Sequence, residues 1–346
     1  MVDIVGGKIV YNEMNANSNG GTELLARRLA AGIPAEELKD FQITLSRKRN
    51  LESDKIRIFW AHDLPGDPES EFLKTDKDSY HAYVFVSNWQ MQAYINAYGL
   101  PWGKCIVITN FIEPIPDHVK PIDKVNLVYF STPHRGLQIL VPVFKEIAKR
   151  FTDVHLNVYS SFGLYGWGES DKSFEPLFNE IREHPNMSYF GTVPNEEMRE
   201  VLKSQHILAY PSIWAETSCL VLMEAMSAKL LCVHPNYAGL SETGGRWTYE
   251  YQWNEVPNDH ARTFFQVLEV AIKIYKDMQL QSSGDITPLD IGLKQMKDYA
   301  DTFYNQQTRL MQWRNFLNSM RNNIPVESRI IKPTTAEIFT YNSRRK

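Results

Sequence analysis

The sequence predicts two tandem α/β domains, each built on a parallel sheet with helices on both faces. Three observations carry this. Short apolar runs rich in β-branched and aromatic residues alternate with stretches of helical period along most of the chain. The alternation breaks at a proline-bearing stretch near the middle and then restarts. Finally, 346 residues with 43% hydrophobic content supply roughly two cores of ordinary size. Parallel strands need crossover connections, so regular strand and helix alternation selects this class over an antiparallel one.

In the first half, the strands are KIVYNEM, FQITLS, IRIFWAH, AYVFVSN and KCIVITNF, all short and bounded by turn residues or charges. TELLARRLA reads as the helix after the first strand. SNWQMQAYINAYGLP reads as a helix stopped at Gly99, with Pro101 just beyond. IEPIPDHVKPIDK carries Pro114, Pro116 and Pro121 and neither continues a helix nor pairs as a central strand. Residues 116–124 are therefore expected to link a first domain, 1–115, to a second, 125–300. The second half reads NLVYFS, a helix from Gly136 to Arg150, HLNVYSS, a helix near Phe174 to His184, MSYFG, a helix from Asn195 to Ser204, HILAYP, a helix from Thr217 to Ala228, and LLCVHP. From Asp259 to Asn323 the pattern is mostly helical, with a separate helix expected over 301–325. Residues 326–346 form a tail without clear periodicity.

Charge and composition narrow the partners. A formal net charge of -4 with cations interspersed among the acids gives no global field for nucleic acid or an anionic membrane, so an anionic ligand must be held locally. Cys105, Cys219 and Cys232 are odd in number, widely spaced and set in apolar stretches, the pattern of reduced core thiols in a cytoplasmic setting. The start, MVDIVGGKIV, lacks a basic leader, and no uncharged run approaches the ~20 residues of a membrane helix, so membrane association is expected to be peripheral at most. No cysteine or histidine cluster has zinc spacing. Asp76-Lys77-Asp78 has a DxD form but lies in TDKDS, read as a solvated turn, and no metal is expected. Arg47-Lys48-Arg49 likewise reads as a solvated loop.

In open parallel sheets, ligands bind beyond the carboxyl ends of the strands. Five loops occupy such places: NSNGGTE, AHDLPGD, STPHRG, GTVPNEE and SIWAETS. In the first, Gly20 and Gly21 remove two side chains where a helix begins, which lets a phosphate approach its amide dipoles. His62 follows a strand on the same side. In STPHRG, His134 and Arg135 precede a helix, and an arginine there neutralises a pyrophosphate. In ETSCLVLMEA, Glu216 and Glu224 stand eight residues apart, about 12 Å along an axis rising 1.5 Å per residue. One carboxylate at each end suits two hydroxyl-rich groups joined by a diphosphate, as in a nucleotide sugar. Trp214, and Tyr165 with Trp167, are the aromatics best placed to stack on sugar.

Together these residues carry a family resemblance. The stretch from MSYFGTVPNEE to YAGLSET, with Pro211, Ser212, Glu216, Glu224, Gly239, Leu240 and Glu242, resembles the donor-binding half of retaining GT-B glycosyltransferases of the family-4 type. GGTE, the WAHD histidine, VFVSNWQ and ITNFI resemble the family in order and spacing. The resemblance covers about residues 5 to 245 and implies two Rossmann-like domains facing across a cleft, with a helix around RLMQWRNFLNSM crossing back to the first domain.

It also implies roles. Glu216 would contact the transferred sugar and Glu224 the ribose. Thr192 and Val193 would lie along the donor, and Thr217, Ser218, Cys219 and Leu220 would offer amides to sugar and phosphate. Gly20, Gly21, His134 and Arg135 would flank the diphosphate, and His62 would lie beside the anomeric carbon. The implied activity is retaining, metal-independent hexosyl transfer from a UDP- or GDP-linked donor to a carbohydrate or glycoconjugate, with no cofactor. Departures from the family's pattern are Tyr129 where a second cation is usual, Ser218 and Cys219 after the first glutamate, and Lys229 and Phe111 in place of glycines. They leave open a non-catalytic sugar-binding module, and a nucleotide-sugar epimerase is the other alternative.

Overall fold

The computed structural model describes residues 2–11, 18, 20–281 and 286–330, and in it two six-stranded sheets lie in tandem. The first half runs β1 (Val2–Val5), β2 (Lys8–Tyr11), α1 (Gly21–Gly32), α2 (Ala35–Leu38), β3 (Phe41–Leu45), β4 (Ile56–Trp60), α3 (Leu73–Asp76), β5 (Ala82–Phe85), α4 (Asn88–Tyr98) and β6 (Cys105–Val107). The second runs β7 (Val125–Tyr129), α5 (Leu137–Arg150), β8 (Val154–Val158), α6 (Glu175–Glu183), β9 (Met187–Tyr189), α7 (Asn195–Leu202), β10 (Ile207–Ala209), α8 (Leu220–Ser227), β11 (Leu231–Pro235), α9 (Leu240–Gly244) and β12 (Tyr249–Tyr251). Four helices follow: α10 (Pro257–Gln281), α11 (Pro288–Phe303), α12 (Gln306–Asn323) and α13 (Val326–Arg329).

The second sheet is parallel throughout, in the order β12-β11-β10-β7-β8-β9. The first, ordered β2-β1-β3-β4-β5-β6, is parallel only from β3 to β6. Its edge corrects the all-parallel expectation: β1 pairs antiparallel with both β2 and β3. The cause is local. Gly6 and Gly7 both take positive φ, +56° and +79°, which closes a two-residue hairpin and leaves no length for a crossover helix. The VDIV strand was hidden from an alternation rule that looks for helices between strands. The rest of KIVYNEM beyond Tyr11, and the tail from residue 331, lie outside the described residues.

Strand β4 is buried on both faces, with Ile58 and Trp60 in one apolar cluster and Phe59 in another. The first cluster is completed by α12, whose Trp313 ring lies 4.8 Å from that of Trp60. Arg314 and Arg321 of α12 pair with Glu37 and Asp40. Cys219 and Cys232 are core residues as expected, whereas Cys105 is only half-buried because β6 is an edge strand.

Helix α8 starts three residues later than the sequence suggested. Residues 216–218 stay outside it because tertiary hydrogen bonds hold them: Gly239 N–H donates to Glu216 O at 2.7 Å, Asn110 Nδ2 to Ser218 O at 2.9 Å, and Thr217 Oγ1 to His62 O at 2.8 Å. The last two join the domains. So does Glu242, which accepts from Asn88 N, Asn88 Nδ2 and Trp89 N at 2.8–2.9 Å and caps the start of α4. Asp76 ends the short helix α3 and pairs with Lys48, so the DxD stretch is helical rather than a turn. Among the described residues no helix is long and apolar enough to cross a membrane.

Candidate active site

A cleft of about 1080 Å³ opens between the two sheets. Gly21, His62, His134, Arg135, Thr192, Val193, Glu216, Thr217, Ser218, Cys219, Leu220 and Glu224 all line it. Gly20 does not. A Cβ at Gly20 would fall 2.8 Å from the Tyr165 ring, and one at Gly21 would fall 3.1 Å from Leu220 Cδ1. The space that these glycines leave is thus taken by side chains of the second domain, which brings the start of α1 against the start of α8. The expectation of an open phosphate approach at Gly20 is corrected accordingly.

Arg135 ends a tight turn, Pro133–Arg135, followed by Gly136 at φ +127°. Any Cβ there would meet Pro211 O at 2.2 Å, so only glycine lets this turn pack against the end of β10. Arg135 NH1 donates to both carboxylate oxygens of Glu216, at 2.7 and 2.9 Å, and Tyr210 OH donates to Glu216 Oε1 at 2.6 Å. A second guanidinium nitrogen reaches Tyr165 OH at 3.3 Å, while Nε is buried without a partner among the described residues. His134 stacks on Phe162 and meets Trp214 edge-on. Burial, reinforced by Arg135, pushes its pKa down to about 4, so His134 is a neutral wall rather than a second cation. Tyr129 is fully buried, packs against Tyr210 and donates to Thr132 O at 2.8 Å, contributing nothing to the cleft wall.

On the facing wall, Ser46 takes φ +57° and its Oγ accepts from the backbone N–H groups of His62 and Asp63 at 2.7 and 3.2 Å. This fixes His62 against Trp60, ring centroids 4.5 Å apart. His62 Nε2 is buried and unpartnered among the described residues, and burial pushes the ring's pKa down to about 3. Asp63 Oδ2 is likewise unpartnered, and burial raises that carboxyl above its ordinary value. Sequence reasoning passed over Asp63, whose one signal was adjacency to His62. It also misread Arg47 and Arg49 as solvated. Both line the cleft, Arg49 on the buried Asp3 at 2.7 Å and Arg47 within 3.8 and 3.5 Å of Asp67 and Glu69.

Glu224 is buried on α8 and accepts from Asn195 Nδ2 at 2.8 Å. Burial raises its pKa, an effect opposed by that hydrogen bond and by the nearby Arg28. Polar atoms of His62, Asp63 and Arg135 that are unpaired among the described residues, all around one cleft, mark a site built for a polar ligand. Among the described residues no three His, Cys, Asp or Glu side chains gather closely enough to hold a metal ion.

Two Rossmann-like domains with a cleft between them, and an arginine–glutamate pair lining that cleft, give the chain a GT-B architecture. Residues 103–248, which include Arg135, Glu216 and Glu224, match the family model described as glycosyl transferases group 1. Among solved structures, the chain is similar to a glycosyltransferase from Rickettsia africae ESF-5, with 15% identity and a TM-score of 0.62 over 91% of this chain and 86% of that one. It is similar to sucrose-phosphate synthase from Thermosynechococcus elongatus, with 15% identity and a TM-score of 0.59 over 78% and 68%. A third likeness is to Anabaena HepE in complex with UDP-glucose, with 16% identity and a TM-score of 0.58 over 77% and 72%. At such identities the likeness speaks for the fold. No curated protein sequence matches the chain.

Proposed function

We propose that this protein is a glycosyltransferase that moves a hexosyl group, with retention and without a metal, from a UDP- or GDP-linked donor to a hydroxyl of a carbohydrate or glycoconjugate. The observation that carries the reading is the contact of Arg135 NH1 with both carboxylate oxygens of Glu216 beside the paired starts of α1 and α8. Arg135 and the start of α8 form a built-in anion site for the diphosphate. An entering diphosphate takes over the guanidinium, and Glu216 turns to the sugar hydroxyls. As the bond from the anomeric carbon to the diphosphate oxygen breaks, negative charge grows on that oxygen, where Arg135 stabilises it. The acceptor oxygen bonds to the anomeric carbon on the same face and passes its proton to the departing phosphate oxygen. His62, neutral and unpartnered at Nε2 among the described residues, offers a hydrogen bond inside the cleft. The structurally similar Anabaena HepE forms a complex with UDP-glucose, and that supports the donor class.

The test is a panel of UDP- and GDP-sugars with excess chelator, scored for diphosphate release and for the anomeric proton of the product. Transfer that survives chelation with retained configuration is expected. Activity lost to chelator and restored by manganese, or an inverted product, would overturn the respective half of the proposal.

A further inference from the structure

Glu224, Asn195 and Arg28 come from three elements and form one hydrogen-bonded chain across the interdomain cleft. Asn195, the first residue of α7, donates through Nδ2 to Glu224 Oε1 at 2.8 Å. Its Oδ1 accepts from NH2 of Arg28 at 2.9 Å, and NH1 of the same arginine donates to Phe111 O at 3.1 Å. Arg28 belongs to the first domain, on α1, while the other two side chains belong to the second.

The order of this chain is dictated by donor and acceptor chemistry. A carboxamide has one accepting and one donating end, and a free asparagine presents either. A guanidinium only donates, so with Arg28 on one side the amide oxygen must face it and the NH₂ must face Glu224. Glu224 then uses one lone pair on Asn195 and keeps the rest for the cleft that it lines. Without the amide, a carboxylate this buried would relax toward its protonated form or turn away. Arg199, one turn further along α7, holds the helix to Glu113 at 2.9 Å, so Asn195 sits on an element pinned at two points. Arg28 also lies seven residues, two helical turns, beyond Gly21 at the cleft wall, so a single helix reaches both the phosphate end and the Glu224 end of the site.

We infer that Asn195 is a positioning residue that aims Glu224 at the ribose hydroxyls of a nucleoside diphosphate, and that Arg28 makes this aim depend on closure of the first domain over the second. The inference rests on the reading of Glu224 as the ribose contact, and the experiment separates the two.

Calorimetric titration with UDP and GDP, each against its 2′,3′-dideoxy counterpart, reads the ribose contact directly. The parent protein should prefer the ribonucleotide of its own base by roughly ten- to a hundredfold, the worth of hydrogen bonds to a charged group. Glu224→Gln should collapse that preference. Asn195→Ala and Asn195→Asp should collapse it to within about threefold, the aspartate because it has no donor to offer. Arg28→Ala should reduce it partly, Arg28→Lys should restore some of it, and Arg28→Ala added to Asn195→Ala should cost nothing further, since the two act through one chain. Asn195 is half-exposed at a helix start, so its variants are expected to fold, and Arg28→Lys gives an independent reading. If Glu224→Gln keeps the ribose preference, the Glu224 reading fails. If Glu224→Gln loses it while Asn195→Ala and Arg28→Ala keep it, the Glu224 reading stands and the inference about Asn195 and Arg28 is overturned.

Discussion

Arg135 and Glu216, 81 residues apart in sequence, are joined by two hydrogen bonds from a single guanidinium nitrogen, on the floor of a cleft where each has another task to perform. Both side chains are mostly withdrawn from solvent, Glu216 almost completely, so the pair neutralises charges that would otherwise be costly to hold there. Under the proposed function, the pair keeps the donor site electrically closed until a stronger anion arrives.

Arg135→Ala should slow transfer by roughly 30- to 1000-fold, because a charge-assisted contact that strengthens as the diphosphate leaves contributes on the order of 2–4 kcal/mol. It should also lower folding stability by about 3–5 kcal/mol, since among the described residues Glu216 keeps only Tyr210 as a side-chain partner in its place. Arg135→Lys should recover part of both effects. Steady-state kinetics and urea melts check this. A rate within about threefold of the parent would assign the diphosphate to another cation of the first domain.

Glu216→Gln should cut transfer while leaving affinity for the free nucleoside diphosphate unchanged or higher, because the guanidinium is released to the phosphates. Glu224→Ala should weaken that affinity. Equal weakening by both changes, measured by calorimetry, would refute the division between a sugar carboxylate and a ribose carboxylate.

Stability should fall as pH falls below about 6.5. Burial holds His62 down at about 3 and His206 at about 4, and burial together with Arg57 and Arg135 holds His81 and His134 at about 4. In the unfolded chain these rings take up protons near pH 6.5, while the folded rings refuse them. The unfolded state therefore binds more protons between pH 6.5 and about 4, and stability present above that window is lost within it. His62 alone approaches a slope of about 1.4 kcal/mol per pH unit. Urea midpoints at about pH 7, 5.5 and 4.5 measure the slope, and His62→Gln should flatten it.

Lys229→Gly should stabilise the protein by about 0.5–1 kcal/mol. Lys229 takes φ +57° just past the end of α8, where Leu230 N–H reaches back to Ala225 O at 3.0 Å, and a side chain there carries the cost of left-handed backbone. What is lost is a loose pair with the exposed Asp117 at 3.5 Å and a long hydrogen bond from Nζ to His118 O, also at 3.5 Å. Thermal melts decide, and a lower melting temperature would show that the Nζ contacts outweigh the strain.

The glycine that the family resemblance expects at position 229 was thus legible as a departure, and the backbone supplies its meaning. Other features were not legible. The Val2–Val5 strand escaped because a hairpin closed by Gly6 and Gly7 leaves no helical period to detect. Gly20 and Gly21 were recognisable as a place where something approaches the chain, but Tyr165 and Leu220 lie 145 and 199 residues away, and no local pattern says which side chain arrives.

What the sequence determined by itself is the α/β class, the alternation that builds the second sheet, and the chemical kinds gathered after the strands: glycines, His62, Arg135 and two glutamates. These follow from local periodicity and from the rule that strand ends face the ligand. What only the tertiary structure decided is partnership. Glu216 sits outside α8 because bonds from Gly239, Asn110 and Thr217 outweigh the helix, and its carboxylate faces Arg135 rather than water. Arg47 and Arg49 turn into the cleft, and Arg28 reaches Asn195 across 167 residues of chain. A side chain's donors and acceptors are written in its identity, but which of them meet depends on the packing of two domains, and that is fixed by long-range burial rather than by any window of sequence.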